Sequence, residues 1–454
     1  MPPKFGTSGL RGLVVELTDE LIGAHVVAFA TNCPIGNGVF VGRDLRDSSP
    51  RIAGATVAAL RNIGVDVTDC GDIATPALAM AAMDAGCAAV MVTGSHIPAD
   101  RNGIKFYTPD GEITKAHEAS IVEGIGRATV TKTPMGQVRE HNAEPDFVAR
   151  YVSGFGSHAL SDKTVGVYSH STVGRDMLRR VLEELGATVV ELGRSETFIP
   201  VDTEAVDPDT RRQLIDWAAD GRLDCIVSMD GDGDRPLLTD ETGQVVPGDI
   251  LGQITSKFLG AEQVVTPVSS NTGVDALGFV QVLRTKIGSP FVIAGMEESD
   301  GSVVGYEANG GFLLGFEAAG PNGSIAPLMT RDSVLPIVAV LVASRDGSVS
   351  DLVKTQPNRF TAADRLQEIP TERSRKLVAS LISQPQDFAG SFGSDVSSID
   401  QTDGLRMTLT DGRIVHIRPS GNAPELRVYI EADSPAFAQD TLKTGFVAIK
   451  KLVG

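Results

Sequence analysis

Cysteine, aromatic residues and positive charge are all scarce in this chain. Its four cysteines, Cys33, Cys70, Cys87 and Cys225, stand far apart among 454 residues. That spacing excludes a disulfide framework and a thiolate zinc site, and fits reduced thiols in the cytoplasm. Against 58 acidic residues there are only 40 Lys and Arg, for a formal charge of −18. Binding to nucleic acid or to an anionic membrane rests on an excess of cations, so neither is expected as a partner. Residues 1–12 contain no apolar core of a secretory signal. The most apolar run, Ala77 to Val92, is Ala-rich and broken by Asp84 and Gly86, which reads as a helix followed by a strand rather than a membrane span. Nothing in these features speaks to oligomeric state.

What is present is a long α/β pattern, too long for one core. Val39–Arg43, Val65–Thr68 and Ala88–Val92 read as strands, with helices over 51–63 and 76–85. The plan recurs with strands over 164–168, 188–192 and 223–229 and helices over 175–185 and 210–219. A fainter third pass has strands at 263–268, 291–294 and 302–305 and a helix over 274–283. The last hundred or so residues change character. Strands over 404–410 and 413–418 flank Asp411-Gly412, a two-residue type I′ hairpin signal, before a strand over 425–431 and a closing amphipathic helix. The expected fold class is therefore α/β, with three similar βαβαβ domains around a cleft plus a C-terminal antiparallel α+β domain. Expected boundaries are 1–140, 141–247, 248–358 and 359–454. In open α/β sheets ligands lie beyond the carboxyl ends of strands, so each repeated domain should offer one loop to the cleft.

Asp230-Gly231-Asp232-Gly233-Asp234-Arg235 is such a loop. Three carboxylates on alternate positions repel one another unless a cation neutralises them, and glycine permits the tight curl that lets them share one hard ion. An EF-hand is excluded, because Arg235 stands at its sixth position and a buried strand, not a helix, precedes Asp230. An arginine beside the carboxylates points to an anion shared with the ion, most simply a phosphate.

Ser95 follows another buried strand, between Gly94 and His96, with Lys105 ten residues on and Arg101-Asn102-Gly103 between. Ser is a common helix N-cap; it is equally a nucleophile exposed at a strand end, with His96 and Lys105 to handle proton and charge. Arg418, Ser420 and the amides near Gly421 and Asn422 form either a phosphate cradle or a polar hairpin turn. Glu307 and Asn309 suit sugar hydroxyls, and suit a sheet-capping loop as well. The Gly-rich segment 6–12, with Arg11, could cradle phosphate.

Together these segments resemble the α-D-phosphohexomutases over nearly the whole chain. Residues 5–12 resemble the family's opening Arg loop, and Thr93–Pro98 its phosphoserine loop T-A-S-H-N-P, with Asn102, Gly103 and Lys105 also matching. Asp230–Arg235 is identical to its metal loop, and Arg418–Asn422 is similar to its R-P-S-G-T loop. The resemblance implies a reversible interconversion of hexose 6-phosphate and hexose 1-phosphate, of mannose or glucose, through phosphorylated Ser95 and a hexose 1,6-bisphosphate that also serves as activator. It implies Mg²⁺ on Asp230, Asp232, Asp234 and the Ser95 phosphate, with Arg11, His96 and Lys105 supplying charge and proton transfer. Arg235, Glu307, Asn309, Arg418, Ser420, Gly421, Asn422 and Arg427 would bind the sugar phosphate. A phosphoglucosamine mutase, or a metal-dependent sugar phosphatase using the same serine, remain the alternatives. Ile97 replaces the family's Asn, and Asn309 and Gly311 stand where the hexose enzymes' G-E-x-S-x-H loop has Ser and His.

Overall fold

In the computed structural model, residues 3–6, 9–127, 134–420 and 425–453 are described. Four main sheets follow one another along the described residues, beside a two-stranded ribbon, Ala318–Ala319 with Ser324–Ile325. The first runs in the order Lys4–Phe5, Leu10–Leu13, Arg101–Thr108, Ala88–Val92, Val39–Arg43, Val67–Asp72, Val138–Glu140. The second is Thr188–Leu192, Thr164–Tyr168, Cys225–Met229, Pro236–Leu238. The third is Gln281–Thr285, Gln263–Pro267, Val303–Tyr306, Phe312–Leu314, Leu328–Asp332. The fourth is wholly antiparallel: Phe360–Leu366, Leu426–Ala432, Ile414–Pro419, Leu405–Leu409, Val396–Asp400. The α/β class with an antiparallel α+β C-terminal unit therefore holds.

A device absent from the sequence reading repeats in the first three units. A parallel strand leads into a loop, and the chain returns antiparallel beside it: Ala88–Val92 with Arg101–Thr108, Cys225–Met229 with Pro236–Leu238, and Val303–Tyr306 with Phe312–Leu314. Each chemistry-bearing loop is thus held at both ends by one ladder. One continuous apolar core then runs through all three units, joining Ala77 and Leu78 of the first to Met177 and Val227 of the second and Val304 and Val338 of the third. Loops on units that share a core cannot drift apart without opening it. The C-terminal unit packs a separate core, built from Val415, Ile417 and Val428 under the helices Thr371–Ser383 and Pro435–Val453.

Three local expectations need correction. Residues 291–294 are not a strand but part of the helix Ser289–Glu297. Four apolar residues show no period; Pro290 in the first turn sets a helical φ, and Val292, Ile293 and Met296 then pack against Val265 and Val303. Residues 274–283 are not a helix: a single 3-10 turn, Thr272–Ala276, ends before Gly278 at φ +76°, and the strand Gln281–Thr285 follows. The hairpin at Asp411-Gly412 is a three-residue loop. Gly412 N donates to Leu409 O at 3.0 Å and Leu409 N to Arg413 O at 2.8 Å. Of these loop residues only Gly412 is left-handed, at φ +83°, whereas a type I′ turn needs two. Asp411 instead accepts from Arg413 N at 3.1 Å, an Asx turn that holds it right-handed.

One buried carboxylate in the scaffold has a testable cost. Asp249, in the first turn of the helix Gly248–Phe258, is 2 % exposed, accepts from Asn271 N at 3.0 Å through Oδ2, and has no partner on Oδ1. Burial pushes its pKa up to about 6. A folded-state value above the unfolded one means that stability is greatest below the unfolded value and falls as pH rises through about 6. Asp249→Asn is therefore expected to stabilise the protein by about 3 kcal/mol at pH ~8, and by little below pH ~4. Urea titrations at the two pH values check it, and an equal effect at both would refute it.

Candidate active site

Ser95 caps no helix; it lies in the open loop between its two strands and adopts φ +54°, a conformation that costs a non-glycine residue about 1–2 kcal/mol. The support for that strain comes from below. Ser95 N donates to Thr93 Oγ1 at 2.7 Å, and Thr93 Oγ1 donates to Asp44 Oδ2 at 2.7 Å. Arg46, 2 % exposed, donates from Nη2 to the carbonyls of Ser95 (2.8 Å) and Ile97 (2.6 Å) and from Nη1 to those of Pro98 (2.8 Å) and Arg101 (2.9 Å). A Cβ on Gly94 would stand 2.7 Å from the Arg46 guanidinium carbon, so only glycine fits there. Asn102 is consumed by the same scaffold, donating to Ser48 and Ser49.

The acidic loop meets this serine directly. Asp230 Oδ1 accepts from the amides of Asp234 (3.1 Å) and Arg235 (3.2 Å), curling the loop, and Gly233 takes φ +74° within it. Gly231 lies so close to the serine loop that a Cβ would be 2.6 Å from Ser95 O. Ser95 Oγ donates to Asp230 Oδ2 at 2.5 Å. Lys105 Nζ bridges Asp232 Oδ2 and Asp234 Oδ2, at 2.6 Å each, and Thr75 Oγ1 donates to Asp232 Oδ2 at 2.6 Å. Arg331 Nη2 reaches Asp234 Oδ2 at 2.8 Å. Burial and then the two neighbouring carboxylates push the Asp230 carboxyl well up; burial also opposes ionisation of Asp232, but the Lys105 ammonium outweighs it and holds that carboxyl down.

The triad fits a hard divalent cation. Its carboxylates are fully buried and can bring three oxygens within 4.8 Å of one another, and Oδ1 of both Asp232 and Asp234 has no hydrogen-bond partner. Buried carboxylate oxygens without donors are what an oxygen-seeking ion satisfies.

Around this centre stand the basic groups. Arg235 Nη1 donates to His96 Nδ1 at 3.0 Å, which makes Nδ1 the bare nitrogen, 3.3 Å from Ser95 Oγ. Burial, then Arg235, holds the imidazole pKa well below its usual value, although Asp202 at 3.8 Å from Nε2 works the other way. His96 is thus neutral near pH 7, its bare nitrogen occupied by Arg235 and lying beside the serine. Burial and the repulsion of Arg235 also lower Arg11 to about 10.

The third loop joins through Arg331, whose Nη1 lies 3.7 Å from Glu307 Oε2. Asn309 spends its side chain inside the loop, Oδ1 accepting from Gly311 N at 2.9 Å and Nδ2 facing Glu307 Oε2 at 3.4 Å. From the C-terminal unit, Arg418 pairs with Asp403 at 3.5 Å and Ser420 N donates to Glu425 O at 2.9 Å. Gly421 and Asn422, like residues 7 and 8 of the Gly-rich segment, lie outside the described residues. Arg427 reaches the cleft, where its charge acts on Glu204 together with those of Arg235 and Glu307. Glu204 still meets solvent, yet the enclosing walls and then Asp202 raise it to about 7. All four units therefore bring charged groups to one cleft.

Several residues here escaped the sequence reading. Asp44 and Arg46 follow the strand Val39–Arg43 and could have been found by the strand-end rule that picked out Ser95 and Asp230. Thr75 follows the strand Val67–Asp72 in the same way, but the sequence pattern ends that strand at Thr68; Asp202 and Arg331 carry no such signal. Arg331 lies on an antiparallel strand, Leu328–Asp332, and meets the triad because that strand packs against the helix Thr75–Asp84 and the strand Gly111–Glu112 of the first unit.

Profiles of all four phosphoglucomutase/phosphomannomutase domains match the chain in order: alpha/beta/alpha domain I over residues 2–132, domain II over 145–243, domain III over 247–360 and the C-terminal domain over 365–443. The chain belongs to the phosphoglucomutase/phosphomannomutase family. Among its relatives, a phosphomannomutase of Sinorhizobium fredii is 44% identical, with 99% of each chain covered. A phosphomannomutase of Salmonella muenchen is 43% identical over 99% of this chain and 96% of its own. Among solved structures, a family member from Burkholderia thailandensis shares the fold at a TM-score of 0.79 and 22% identity, covering 98% of this chain and 97% of its own. Membership is consistent with the Ser95 and triad geometry, and no described helix is long and apolar enough to cross a membrane.

Proposed function

We propose that this chain is a phosphohexomutase that interconverts hexose 6-phosphate and hexose 1-phosphate, with mannose phosphate as its principal substrate, in the cytoplasm. The observation that carries the reading is Ser95 Oγ, held at 2.5 Å from Asp230 beside a neutral His96. A hydroxyl in that position faces the cation site directly, where a phosphoryl group on it would be neutralised.

In the forward half-reaction a sugar hydroxyl attacks the phosphorus of phosphorylated Ser95. The bond to Ser95 Oγ breaks and that oxygen takes up a proton from an acid in the cleft, while the phosphoryl group passes to the sugar and the sugar hydroxyl's proton goes to a base there. The resulting 1,6-bisphosphate turns over, and Ser95 Oγ attacks its other phosphoryl group; the serine proton passes to a base in the cleft, the bond to the sugar oxygen breaks, that oxygen takes up a proton, and the phosphoenzyme is restored. Asp230, Asp232 and Asp234 would hold Mg²⁺, which supplies charge neutralisation at the phosphoryl oxygens. Arg11, Lys105 and Arg235 contribute fixed positive charge around the transferred group, and Glu307, Arg418, Ser420 and Arg427 orient the sugar and its other phosphate. Because Asn309 is spent within its own loop, Glu307 is the main sugar contact from the third unit.

A coupled assay with mannose, glucose and glucosamine 1-phosphates tests the proposal, run with a trace of hexose 1,6-bisphosphate. Isomerisation fastest with mannose 1-phosphate, on protein bearing one phosphoryl group at Ser95, is the expected result. Steady release of free phosphate without isomerisation would overturn it in favour of a phosphatase.

A further inference from the structure

Away from the catalytic cluster, the third and fourth units line an open pocket of about 500 Å³, to which three arginines from different segments contribute. Arg284 comes from the edge strand of the third sheet, Arg359 from the connection between the units, and Arg406 from the C-terminal sheet. Two are partly committed. Arg284 pairs with Asp275 at 3.1 Å and donates to Ser270 O at 2.7 Å. Arg359 pairs with Glu431 and donates to Gly412 O at 2.9 Å. Among the described residues the Arg406 guanidinium makes no hydrogen bond and no ion pair.

That arrangement is electrostatically unfinished. Arg406 is half-buried, and burial, followed by repulsion from Arg284, works against its charge. Asp275 and Glu431 are taken by Arg284 and Arg359, and Asp400 acts on Arg406 only from beyond ion-pair distance, so the Arg406 donors stay free at a pocket large enough for a small metabolite. Guanidinium forks with a hydroxyl, here Thr408, match the tetrahedral oxygens of a phosphoryl group better than they match one another.

The pocket is distinct from the catalytic cleft. Ile287 N donates to Asp403 Oδ2 at 3.1 Å, and the same oxygen faces Arg418 Nε at 3.5 Å. This contact ties the third unit to the fourth beside the phosphate loop, and none of the groups lining the pocket belongs to the Ser95 and triad cluster.

We propose that the pocket between the third and fourth units is an accessory binding site for the phosphoryl dianion of a small molecule, with Arg406 as its principal donor and Arg284 and Arg359 flanking it. A dianion there would bridge both units and the connection between them, so its binding ties the C-terminal unit to the third. The site stands on its own geometry and does not depend on the catalytic reading.

Calorimetric titration of the full-length protein with glycerol 3-phosphate and, separately, with inorganic phosphate tests this at fixed ionic strength. It is best done in an Arg418→Gln background, which weakens phosphate binding in the catalytic cleft. One equivalent of at least one probe is expected to bind, and adding Arg406→Gln should weaken it at least about tenfold, with Arg406→Lys recovering part of the loss. Tighter binding of the ester would identify a metabolite as the source, and equal affinities the phosphate group alone; both support the site. Failure of both probes to bind in the Arg418→Gln protein, or binding that Arg406→Gln leaves within about twofold, would overturn it. Thermal unfolding with and without probe shows whether each variant is folded, and if Arg406→Gln is not, the tenfold criterion passes to Arg284→Gln.

Discussion

Ser95→Ala is expected to lower kcat for hexose phosphate interconversion by about 10⁴-fold or more, since losing an attacking oxygen removes the covalent route rather than one contact. The fold should survive. The residue's unusual backbone is held by Thr93, Asp44 and Arg46 through its own amide and carbonyl, which alanine retains. The hydroxyl's bond to Asp230 and its longer contact with His96 are lost, together worth roughly 1–2 kcal/mol. The measurement is a pair: turnover with bisphosphate activator, and the unfolding midpoint. An alanine variant that keeps a hundredth of the activity would sink the phosphoserine mechanism, whereas one that loses its midpoint would show only that the loop had collapsed.

Asp232→Asn is the second large effect, and it separates two jobs of the cleft. Asp232 Oδ2 accepts from Lys105 and Thr75, both at 2.6 Å, while its Oδ1 is without a donor beside the bare Oδ1 of Asp234. The amide keeps the shape, removes one of three negative charges at the cation site, and leaves Lys105 with Asp234 alone. We expect kcat to fall by about 10²–10³-fold, with a correspondingly higher Mg²⁺ requirement. Sugar phosphate affinity should change less than about threefold, because Glu307 and Arg418 belong to the third and fourth units. Equilibrium binding of hexose phosphate beside steady-state turnover distinguishes the two, and equal losses in both would refute the division.

The chain's local chemistry was legible where a motif is short and contiguous. Asp230 to Arg235 announces a cation site because glycine spacing, charge repulsion and a preceding apolar strand all lie within a dozen residues. The strand ends that carry Ser95 and Glu307 were readable for the same reason. The third unit was read poorly: its helix Ser289–Glu297 shows four consecutive apolar residues and no period, and only packing against Val265 and Val303 selects helix over strand. The returning strands Pro236–Leu238 and Phe312–Leu314 are three residues each, too short to carry an alternation. The positioning of Ser95 by Arg46 was missed although its residues sit at a strand end, since an arginine that donates to four carbonyls looks in sequence like any surface cation.

The sequence by itself determined the class of the protein, the cation loop and the serine. Strand-end chemistry is encoded by neighbours in the chain, so a linear reading reaches it. Only the tertiary structure decided that these loops belong to one centre. Ser95 and Asp230 are 135 positions apart in the chain, yet their side chains meet at 2.5 Å. Lys105 and Arg331 come from the first and third units to share Asp234. Such meetings depend on the apolar core that runs through three units, and burial of that core sets the loops' relative positions. No local spacing carries that information, because the energy that fixes it is spread over side chains that take no part in the chemistry.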